Sequence, residues 1–325
     1  MAKAICVHEY GGPEAMRWED VSVGGPGACQ VRIRHHAVGL NFIDVYHRTG
    51  LYPLPALPSS IGLEATGVVE EVGAGVTDLQ VGDRVAYASP PPGAYAEERL
   101  IAADRVVVVP NTIDDRTAAA MMLKGMTAQY LLRRTYRVQA GDAVLIHAAA
   151  GGVGLIASQW ANHLGATVIG TVGSEAKAAL ARAHGCHHVI NYNQENFVEQ
   201  VKAITDGKGV AVVYDSVGKD VFMDSLDCLR PMGMLVTFGN ASGPVPAIEP
   251  LVLSAKGSLF LTRPTLMHYT AKRADLLASA ADLFEVVATG AVKIEINQTY
   301  PLAEAAQAHR DLEARKTTGS TVLLP

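Results

Sequence analysis

The stretch that decides the fold is AVLIHAAAGGVG, residues 143–154. Its apolar start predicts a buried strand, and the glycines predict a tight turn into a helix over residues 153–165. Ala148, Gly151 and Gly154 match the A-x-x-G-x-x-G variant of the dinucleotide fingerprint. In that fingerprint the backbone approaches a pyrophosphate, and free amides at the helix start supply positive potential. We call residues 148–154 the phosphate cradle, and we expect the backbone at Gly151 and Gly154 to approach the pyrophosphate.

A tight turn between closely packed elements is the alternative explanation of the cradle, and the sequence that follows weighs against it. Helix-like segments separate further strand-like runs at residues 167–170, 188–191, 210–214 and 234–238. Such alternation is typical of βαβ units. We therefore predict an α/β fold whose core is a doubly wound parallel sheet.

The chain on either side of this region has a different texture. Before about residue 125, short β-like runs such as 30–34 and 67–72 alternate with Gly/Pro turns, which predicts an irregular β-rich domain. The tail after Arg263-Pro264 is too short to form a domain alone, so we expect it to pack on the first one. The predicted domains are residues 1–125 plus 264–325, and residues 126–263.

Composition excludes several classes of function. The 325 residues are 49% hydrophobic and 18% charged, which is typical of a globular chain of two domains. The formal net charge of −5 provides no field that would gather nucleic acid or anionic lipid. The four cysteines lack metal-ligand spacing, and no apolar run reaches the roughly 18 residues that span a bilayer. Since the N-terminus also lacks a signal-peptide core, we expect a cytoplasmic protein without nucleic-acid or membrane partners.

The residues after the second predicted strand bear on the choice of dinucleotide. An NAD site places a carboxylate about twenty residues beyond the last glycine of the fingerprint, and Ser174 occupies that distance from Gly154. Ser174 and Lys177 provide a hydroxyl and a positive charge, which suit a 2′-phosphate. Glu175 complicates the assignment, because a shift of one residue would restore an acid. An ordinary solvated helix lysine is the alternative for Lys177. We favour NADPH over NADH.

Seven segments of the chain resemble one known family. They are GGPE (11–14), GLNFIDVY (39–46), RTGLYP (48–53), GLEATGVV (62–69), VGDRV (81–85), the phosphate cradle and YDSVG (214–218). Together they are similar to the medium-chain dehydrogenase/reductase superfamily, and within it to the bacterial NADPH:quinone oxidoreductases related to ζ-crystallin. The resemblance implies a Rossmann domain inserted in a GroES-like, β-rich catalytic domain. It also implies a homodimer joined through an edge strand at residues 257–261.

The resemblance includes a departure at the metal site of the superfamily's zinc alcohol dehydrogenases. Those enzymes carry a cysteine ligand where this chain has Asn41, and Gly-His-Glu where it has Gly62-Leu63-Glu64. Leucine cannot bind a cation, and an Asn amide is a poor Zn²⁺ ligand. We therefore expect no metal, and expect Glu64 to be a structural ion-pair or hydrogen-bonding residue. Without a Lewis acid, hydride transfer needs an acceptor that is already electrophilic, such as a quinone or an activated alkene.

The resemblance also implies the site residues. Asn41 and Tyr46 would contact the nicotinamide end and Tyr52 would line the acceptor cleft, so these three are the predicted catalytic residues. A turn-capping Asn and half-buried tyrosines are the alternative that composition alone favours. For Arg315, an ordinary surface charge at a helix end is as good an explanation as a cofactor contact. The implied cofactor-binding residues are Asn41, Phe42, Tyr46, Thr127, Tyr130, Gly151, Gly152, Val153, Gly154, Gly173, Ser174, Lys177, Tyr192, Ser216, Phe238, Gly239, Asn240, Arg263, Pro264 and Arg315.

Three functions follow from these expectations. The first is zinc-independent reduction of a quinone by NADPH. The second is reduction of an enone or enoyl group by the same family. The third is an NADPH-binding protein with incidental turnover, like the lens crystallins or RNA-binding members, which the charge of −5 and 6% aromatic content disfavour. We predict that His147 is a packed strand-end residue rather than a general base.

Overall fold

The computed structural model describes residues 1–325. The chain forms two compact units. The first unit comprises Met1–Met126, Thr270–Phe284 and Ile294–Pro325, and the second comprises Thr127–Tyr269 and Glu285–Lys293. The domain limits expected from the sequence, 125/126 and 263/264, stay a prediction. None of the helices is both long enough and apolar enough to span a membrane.

The N-terminal part of the chain is mostly strand. In chain order its elements are β1 (Ala2–Val7), β2 (Met16–Val21), β3 (Gln30–Leu40), α1 (Phe42–Thr49), β4 (Ser59–Ser60), β5 (Glu64–Val72), β6 (Arg84–Ala88), β7 (Glu98–Ala102), β8 (Val107–Val108) and α2 (Asp115–Tyr130).

Strands and helices then alternate, after a π-helical turn at Leu131–Thr135. These elements are β9 (Ala143–Ile146), α3 (Gly152–His163), β10 (Thr167–Val172), α4 (Glu175–Ala183), β11 (His188–Asn191), α5 (Phe197–Ile204), β12 (Val210–Asp215), α6 (Phe222–Asp227), β13 (Leu229–Thr237), α7 (Leu251–Ala255), β14 (Phe260–Thr262) and α8 (Leu266–Tyr269). The chain closes with α9 (Arg273–Ala288), β15 (Ile296–Pro301), α10 (Ala305–Glu313) and β16 (Ser320–Leu324).

The second unit is built on a six-stranded sheet of order β11-β10-β9-β12-β13-β14. All five strand pairs are parallel. The order reverses between β9 and β12, which is the switch point at which open α/β sheets bind ligands. Every residue of β12 is buried, as expected for a strand whose sheet is covered on both faces. The predicted doubly wound Rossmann sheet is confirmed.

The first unit contains a seven-stranded sheet of order β15-β16-β3-β5-β6-β8, with β7 also pairing with β3, and a three-stranded sheet of order β2-β1-β4. The C-terminal strand β16 pairs antiparallel with β3, so that Val322 lies opposite Gly39. The core includes the fully buried Val31, Ile33 and Val85. Along β3, buried residues alternate with more exposed ones up to His36, because only one face of that stretch packs on the core.

The edge strand predicted at residues 257–261 is shorter than expected and begins at Phe260. Gly257 and Ser258 have φ values of 115° and 58°, which lie in the left-handed region that an extended strand excludes. Their apolar neighbours made the whole segment look like a strand, whereas the backbone turns before Phe260.

Candidate active site

The start of helix α1 is organised by its own first residues. Asn41 precedes the helix in extended conformation, and its backbone N–H donates to Asp44 Oδ2 at 2.9 Å. A carboxylate three residues into a helix satisfies one of the amides that have no partner inside the helix. This local pairing holds Asn41 at the junction of β3 and α1, where it is 5% exposed.

The side chain of Asn41 is bound by Glu64. Asn41 Nδ2 donates to Glu64 Oε2 at 2.7 Å, and Lys124 Nζ lies 3.3 Å from the same oxygen. The backbone N–H of Leu123 donates to Oε1 at 2.8 Å, and Glu64 is fully buried. A Cβ on Gly39 would lie 2.2 Å from both the Ala119 carbonyl oxygen and Glu64 Oε2, so only glycine fits beside this carboxylate. Glu64 is therefore the structural ion-pair and hydrogen-bonding residue that we predicted.

Three aromatic side chains pack together at helix α1: Phe42 and Tyr46 of the helix and Tyr52 of the loop that follows it. The Phe42 and Tyr46 ring centroids are 5.6 Å apart, and Tyr52 meets Tyr46 edge-on at 5.1 Å. The backbone N–H of Tyr52 donates to the Tyr46 carbonyl at 3.0 Å, which holds the loop after α1 against the helix. Tyr46 is buried, and Phe42 and Tyr52 are half-buried. The structure thus groups the predicted catalytic residues around α1, and their roles stay predictions.

The phosphate cradle lies between β9 and α3, as predicted. Ala148 has a φ of 52°, and Gly151 precedes the helix in extended conformation. A Cβ on Gly154 would lie 2.3 Å from the Ala148 carbonyl oxygen, so the close turn requires glycine. Gly152 and Val153 form the start of the helix, where backbone amides lack intrahelical partners. The sheet places this helix start next to the switch point between β9 and β12.

His147 connects the cradle to neighbouring elements. Its Nδ1 lies 2.9 Å from Thr171 Oγ1, and its Nε2 lies 2.9 Å from Ser225 Oγ. Because the Ser225 hydroxyl donates to the Val221 carbonyl, it accepts from His147 Nε2–H, and Nδ1 accepts from Thr171. Burial lowers the pKa of His147 to about 3, so the ring is neutral. His147 is the packed strand-end residue that we predicted.

The residues expected around the adenosine end lie at the end of β10. Ser174 caps α4, with its Oγ accepting from the Lys177 backbone N–H at 3.3 Å. A Cβ on Gly173 would lie 2.5 Å from the Tyr192 hydroxyl, so Gly173 and Tyr192 are in close contact. Glu175, which complicated the choice of dinucleotide, is paired with Arg182 of the same helix at 2.8 Å. The Glu175 carboxylate therefore has its partner within its own helix.

The ends of β12 and β13 form another group. Phe238 N–H donates to the Asp215 carbonyl at 2.7 Å, and a Cβ on Gly239 would lie 2.3 Å from the Ser216 carbonyl oxygen. Asn240 follows directly and is half-buried. The structure therefore brings Ser216 together with Phe238 and Gly239 at the carboxyl edge of the sheet.

Asp215 is a residue of this edge that the sequence analysis missed. It is fully buried, and its Oδ1 accepts from the backbone N–H groups of Val217 and Gly218 at 2.8 and 2.9 Å. Burial raises the pKa of Asp215, while the two backbone hydrogen bonds and, more weakly, the Arg263 charge oppose that rise. The sequence signal that could have indicated Asp215 is a carboxylate placed directly after the apolar strand VAVVY.

Tyr130 stacks on Tyr269, with ring centroids 4.4 Å apart and planes inclined by 14°. The guanidinium carbon of Arg134 lies over the Tyr269 ring, 5.2 Å from its centroid. Burial and the neighbouring Tyr269 raise the pKa of Tyr130, and the Arg263 charge opposes that rise. Tyr269 and Arg134 carried no sequence motif and were missed.

The remaining predicted cofactor residues are more dispersed. Thr127 is buried in α2, Arg263 is exposed, and Pro264 is half-buried after β14. Arg315 belongs to the first unit and follows α10, exposed and with a φ of 58°. Its backbone N–H donates to the Leu312 carbonyl at 3.0 Å, which is the geometry of a helix C-terminus. A cofactor contact by Arg315 stays a prediction.

Comparison with known proteins identifies the family. The "Alcohol dehydrogenase GroES-like domain" model matches residues 27–132, and the "Zinc-binding dehydrogenase" model matches residues 152–285. A protein of Pseudomonas aeruginosa named quinone oxidoreductase is 55% identical over 325 residues, covering all of both chains. This chain belongs to the quinone oxidoreductases of the medium-chain dehydrogenase/reductase superfamily.

Two further relatives of this chain are informative. A 2-haloacrylate reductase of a Burkholderia species is 52% identical, over 100% of this chain and 99% of its own. The crystal structure of Escherichia coli quinone oxidoreductase complexed with NADPH matches with a TM-score of 0.98 at 47% identity, covering all of both chains. The predicted family and fold class are confirmed.

One of the two matching family models is named for zinc binding, but the residues of this chain do not form a zinc site. The structure contains no group of three or more His, Cys, Asp or Glu side chains placed to hold a metal ion. At the positions of the catalytic zinc ligands, Leu63 offers no donor atom, and the Asn41 amide is bound to Glu64. The donor chemistry of these residues does not fit Zn²⁺.

Proposed function

We propose that this protein is a zinc-independent NADPH:quinone oxidoreductase that transfers reducing equivalents from NADPH to a quinone. One observation carries the zinc-free reaction: Asn41 and Lys124 hold Glu64 in a buried ion-pair cluster, and Leu63 adjoins it. Because no zinc ligand set is available to polarise an alcohol, the acceptor must carry its own electron-withdrawing carbonyl, as a quinone does. The full-length relatives named quinone oxidoreductase support the same acceptor.

The chain's residues fit the phosphates of NADPH. Gly154 leaves no space for a side chain beside the Ala148 carbonyl, which keeps the helix start open to a pyrophosphate. Ser174, Lys177 and Tyr192 would surround the 2′-phosphate. The pairing of Glu175 with Arg182 supports this choice, since a carboxylate turned towards the ribose would repel a phosphate. When bound, NADPH supplies the hydride.

The nicotinamide end would meet residues from several elements. We assign to it Asn41, Phe42, Tyr46, Thr127, Tyr130, Ser216, Phe238, Gly239, Asn240, Arg263 and Pro264, with Gly173 and Arg315 assigned to the phosphate end. The stacking of Tyr130 on Tyr269 and the bonding of Asn41 to Glu64 limit side-chain motion before the cofactor binds. Pre-organisation of this kind favours a defined ring orientation.

Tyr46 and Tyr52 are proposed to serve the acceptor. Their rings meet edge-on at 5.1 Å, so each ring restrains the other, and the half-buried Tyr52 ring would pack against the quinone. A tyrosine hydroxyl directed at the acceptor oxygen would donate a hydrogen bond to the negative charge that develops there.

A second candidate is reduction of an activated alkene. The observation that favours it is the 52% identity over the whole chain to a 2-haloacrylate reductase, since a haloacrylate is an alkene conjugated with a carboxylate. The same hydride donor and hydrogen-bond donors would serve both acceptors.

We further propose a homodimer joined through β14. This strand is the edge of the six-stranded sheet, and Phe260 on it is 57% exposed. An unpaired edge with an apolar side chain favours pairing with a second copy. A cytoplasmic location is supported by the four cysteines, which are all free thiols as in a reducing compartment.

One assay tests the function. Chelator-treated protein is offered NADPH or NADH with a benzoquinone, a naphthoquinone, a simple enone or 2-chloroacrylate, and the loss of reduced-nicotinamide absorbance is followed. We expect rapid oxidation of NADPH with quinones, undiminished by chelator. Faster turnover of 2-chloroacrylate than of either quinone would establish the second candidate. Tight NADPH binding without any turnover would overturn both.

A further inference from the structure

Helix α1 contributes Asp44 and Arg48 to a buried, hydrogen-bonded chain of four polar side chains. The proposed chemistry does not use this chain. Arg48 NH1 lies 3.1 Å from His309 Nδ1, and His309 Nε2 lies 3.0 Å from the Tyr95 hydroxyl. The Tyr95 hydroxyl donates to Asp44 Oδ2 at 3.0 Å. Each of these four residues is at most 1% exposed. At its outer end Arg48 forms two hydrogen bonds with the Glu313 carboxylate, at 2.8 and 3.0 Å.

The direction of this chain follows from the chemistry of its members. A guanidinium has only donors, so His309 Nδ1 accepts from Arg48. The neutral ring then carries its proton on Nε2, which donates to the Tyr95 oxygen, and the Tyr95 hydrogen is directed at Asp44. Burial and the Arg48 charge lower the pKa of His309 to about 3, in agreement with a neutral ring. Each of the three hydrogen bonds from Arg48 to Asp44 is therefore donated in the direction of Asp44 Oδ2.

Asp44 receives these bonds on one oxygen alone. Oδ2 accepts from Tyr95 and from the backbone N–H of Asn41, whereas the buried Oδ1 has no hydrogen-bond partner. Oδ1 is thus the atom on which a proton can reside without breaking a contact. Burial raises the pKa of Asp44 to about 7; Glu64 adds to the rise, and Lys124 and the two hydrogen bonds oppose it.

Resting on the proposed function, we propose that Asp44 is a positioning residue whose carboxylate holds Asn41 and the start of α1 for the nicotinamide, and that a proton taken up on Oδ1 loosens this hold. An ionised carboxylate accepts charge-assisted bonds about twice as strong as neutral ones, and it stabilises a helix N-terminus. The neutral carboxyl keeps both bonds in weaker form. Cofactor binding is therefore tighter when Asp44 is ionised.

Other ionisable groups lie near Asp44. Burial raises the pKa of Tyr95 well above its usual range, and His309 stays neutral. Glu64 and Lys124 are paired with each other at 3.3 Å, and Arg48 is paired with Glu313. Among Asp44, Tyr95 and His309, Asp44 is the one whose pKa lies near neutral pH.

The test compares the wild type with D44N and Y95F. NADPH dissociation constants and kcat/KM with a quinone are measured from about pH 5.5 to 8.5, a window around the Asp44 pKa. We expect wild-type NADPH binding to tighten roughly threefold to tenfold across this window, the difference between neutral and charge-assisted hydrogen bonds. In D44N, the isosteric amide mimics the protonated carboxyl, so affinity should stay at the wild-type low-pH value. In Y95F, loss of one bond to the carboxylate should move the inflection to higher pH. D104N, at an exposed aspartate of the same unit, is the matched control.

A measurement without substrate separates this inference from the proposed function. Exchange of the Asn41 amide, corrected for its intrinsic pH dependence, should slow as pH rises in the wild type and be independent of pH in D44N. A wild type that reduces quinones with a profile shared by D44N and Y95F would overturn the inference and leave the function intact. A wild type that turns over nothing would overturn the function, and amide exchange would still decide the role of Asp44.

Discussion

The side-chain amide of Asn41 lies 2.7 Å from Oε2 of Glu64, which is itself fully buried. The resemblance described above implies that Asn41 occupies a zinc-ligand position of the superfamily's zinc alcohol dehydrogenases and that Glu64 follows a second one, Leu63. In this chain they bind each other, and the Lys124 ammonium balances the carboxylate at 3.3 Å. Asn41, Glu64 and Lys124 thus form a buried hydrogen-bonded ion-pair cluster at the start of α1.

Neutralising Glu64 should destabilise the fold. In E64Q, the Lys124 ammonium would remain buried without an opposite charge, and removing one partner of a buried pair costs about 3–5 kcal/mol. Urea unfolding measures this loss. The matched control is D20N, because Asp20 and Lys3 form an exposed pair in the same unit, 58% and 42% accessible, and exposed pairs contribute little. Equal midpoints for E64Q and wild type would refute the structural role.

Removing the Lys177 ammonium should weaken NADPH binding selectively. In K177A, loss of a charge-assisted contact to the 2′-phosphate should raise KM for NADPH roughly tenfold, with KM for NADH nearly unchanged. Steady-state kinetics with both cofactors check this prediction. K202A removes an exposed cation of α5 in the same unit, and it should leave the preference for NADPH in place. A uniform effect of K177A on both cofactors would contradict the phosphate assignment.

A methyl group at Gly154 should disrupt the phosphate cradle. The added Cβ would lie 2.3 Å from the Ala148 carbonyl, so the turn must shift, and such overpacking costs about 1–3 kcal/mol. At Gly151 the nearest atom is the same oxygen at 3.2 Å, and φ is −82°. Thermal unfolding without cofactor should therefore show a larger drop in Tm for G154A than for G151A. Comparable drops would mean that the cradle tolerates a side chain at Gly154.

The buried His147 should contribute to acid destabilisation. Its pKa is about 3 in the folded state against an ordinary 6.5, so the unfolded chain binds more protons below pH 6.5. Its contribution to stability is present above that value and is lost as pH falls towards 3. By linkage the loss is about 2 kcal/mol at about pH 5. Urea titrations at about pH 5 and 7.5 should show a smaller difference for H147N than for wild type.

The control for that prediction is H188Q, at an exposed position of β11. It should reproduce the wild-type difference in unfolding free energy between the two pH values. An H147N protein with the full wild-type difference would show that His147 does not drive the acid effect.

A charge at the edge of the second unit's sheet should prevent dimer formation. F260D places a carboxylate on the exposed edge strand β14, and a buried unpaired charge opposes pairing between copies. Light scattering after size-exclusion chromatography should give the mass of one chain for F260D and of two for wild type. L277D, at a 41% exposed position of α9, is the control and should remain dimeric. A dimeric F260D would place the interface elsewhere.

Local features of the chain were sufficient to predict the second unit. Apolar runs, helical periodicity and the glycines of residues 148–154 act over a few neighbouring residues, so their consequences do not depend on distant contacts. The strand predicted at 257–261 shows the limit of this reasoning, because left-handed backbone at Gly257 and Ser258 leaves no trace in an apolar pattern.

By itself, the sequence determined the Rossmann sheet, the phosphate cradle and the absence of zinc-type ligands at residues 41 and 63. Only the tertiary structure decided what surrounds Asp44: Tyr95 is 51 residues away along the chain, and Glu313 is 265 residues from Arg48. The same applies to Asp215, whose burial depends on how β12 and β13 pack. The reason is physical: a side chain's charge state and bonding depend on desolvation and on partners that only folding brings within 3 Å.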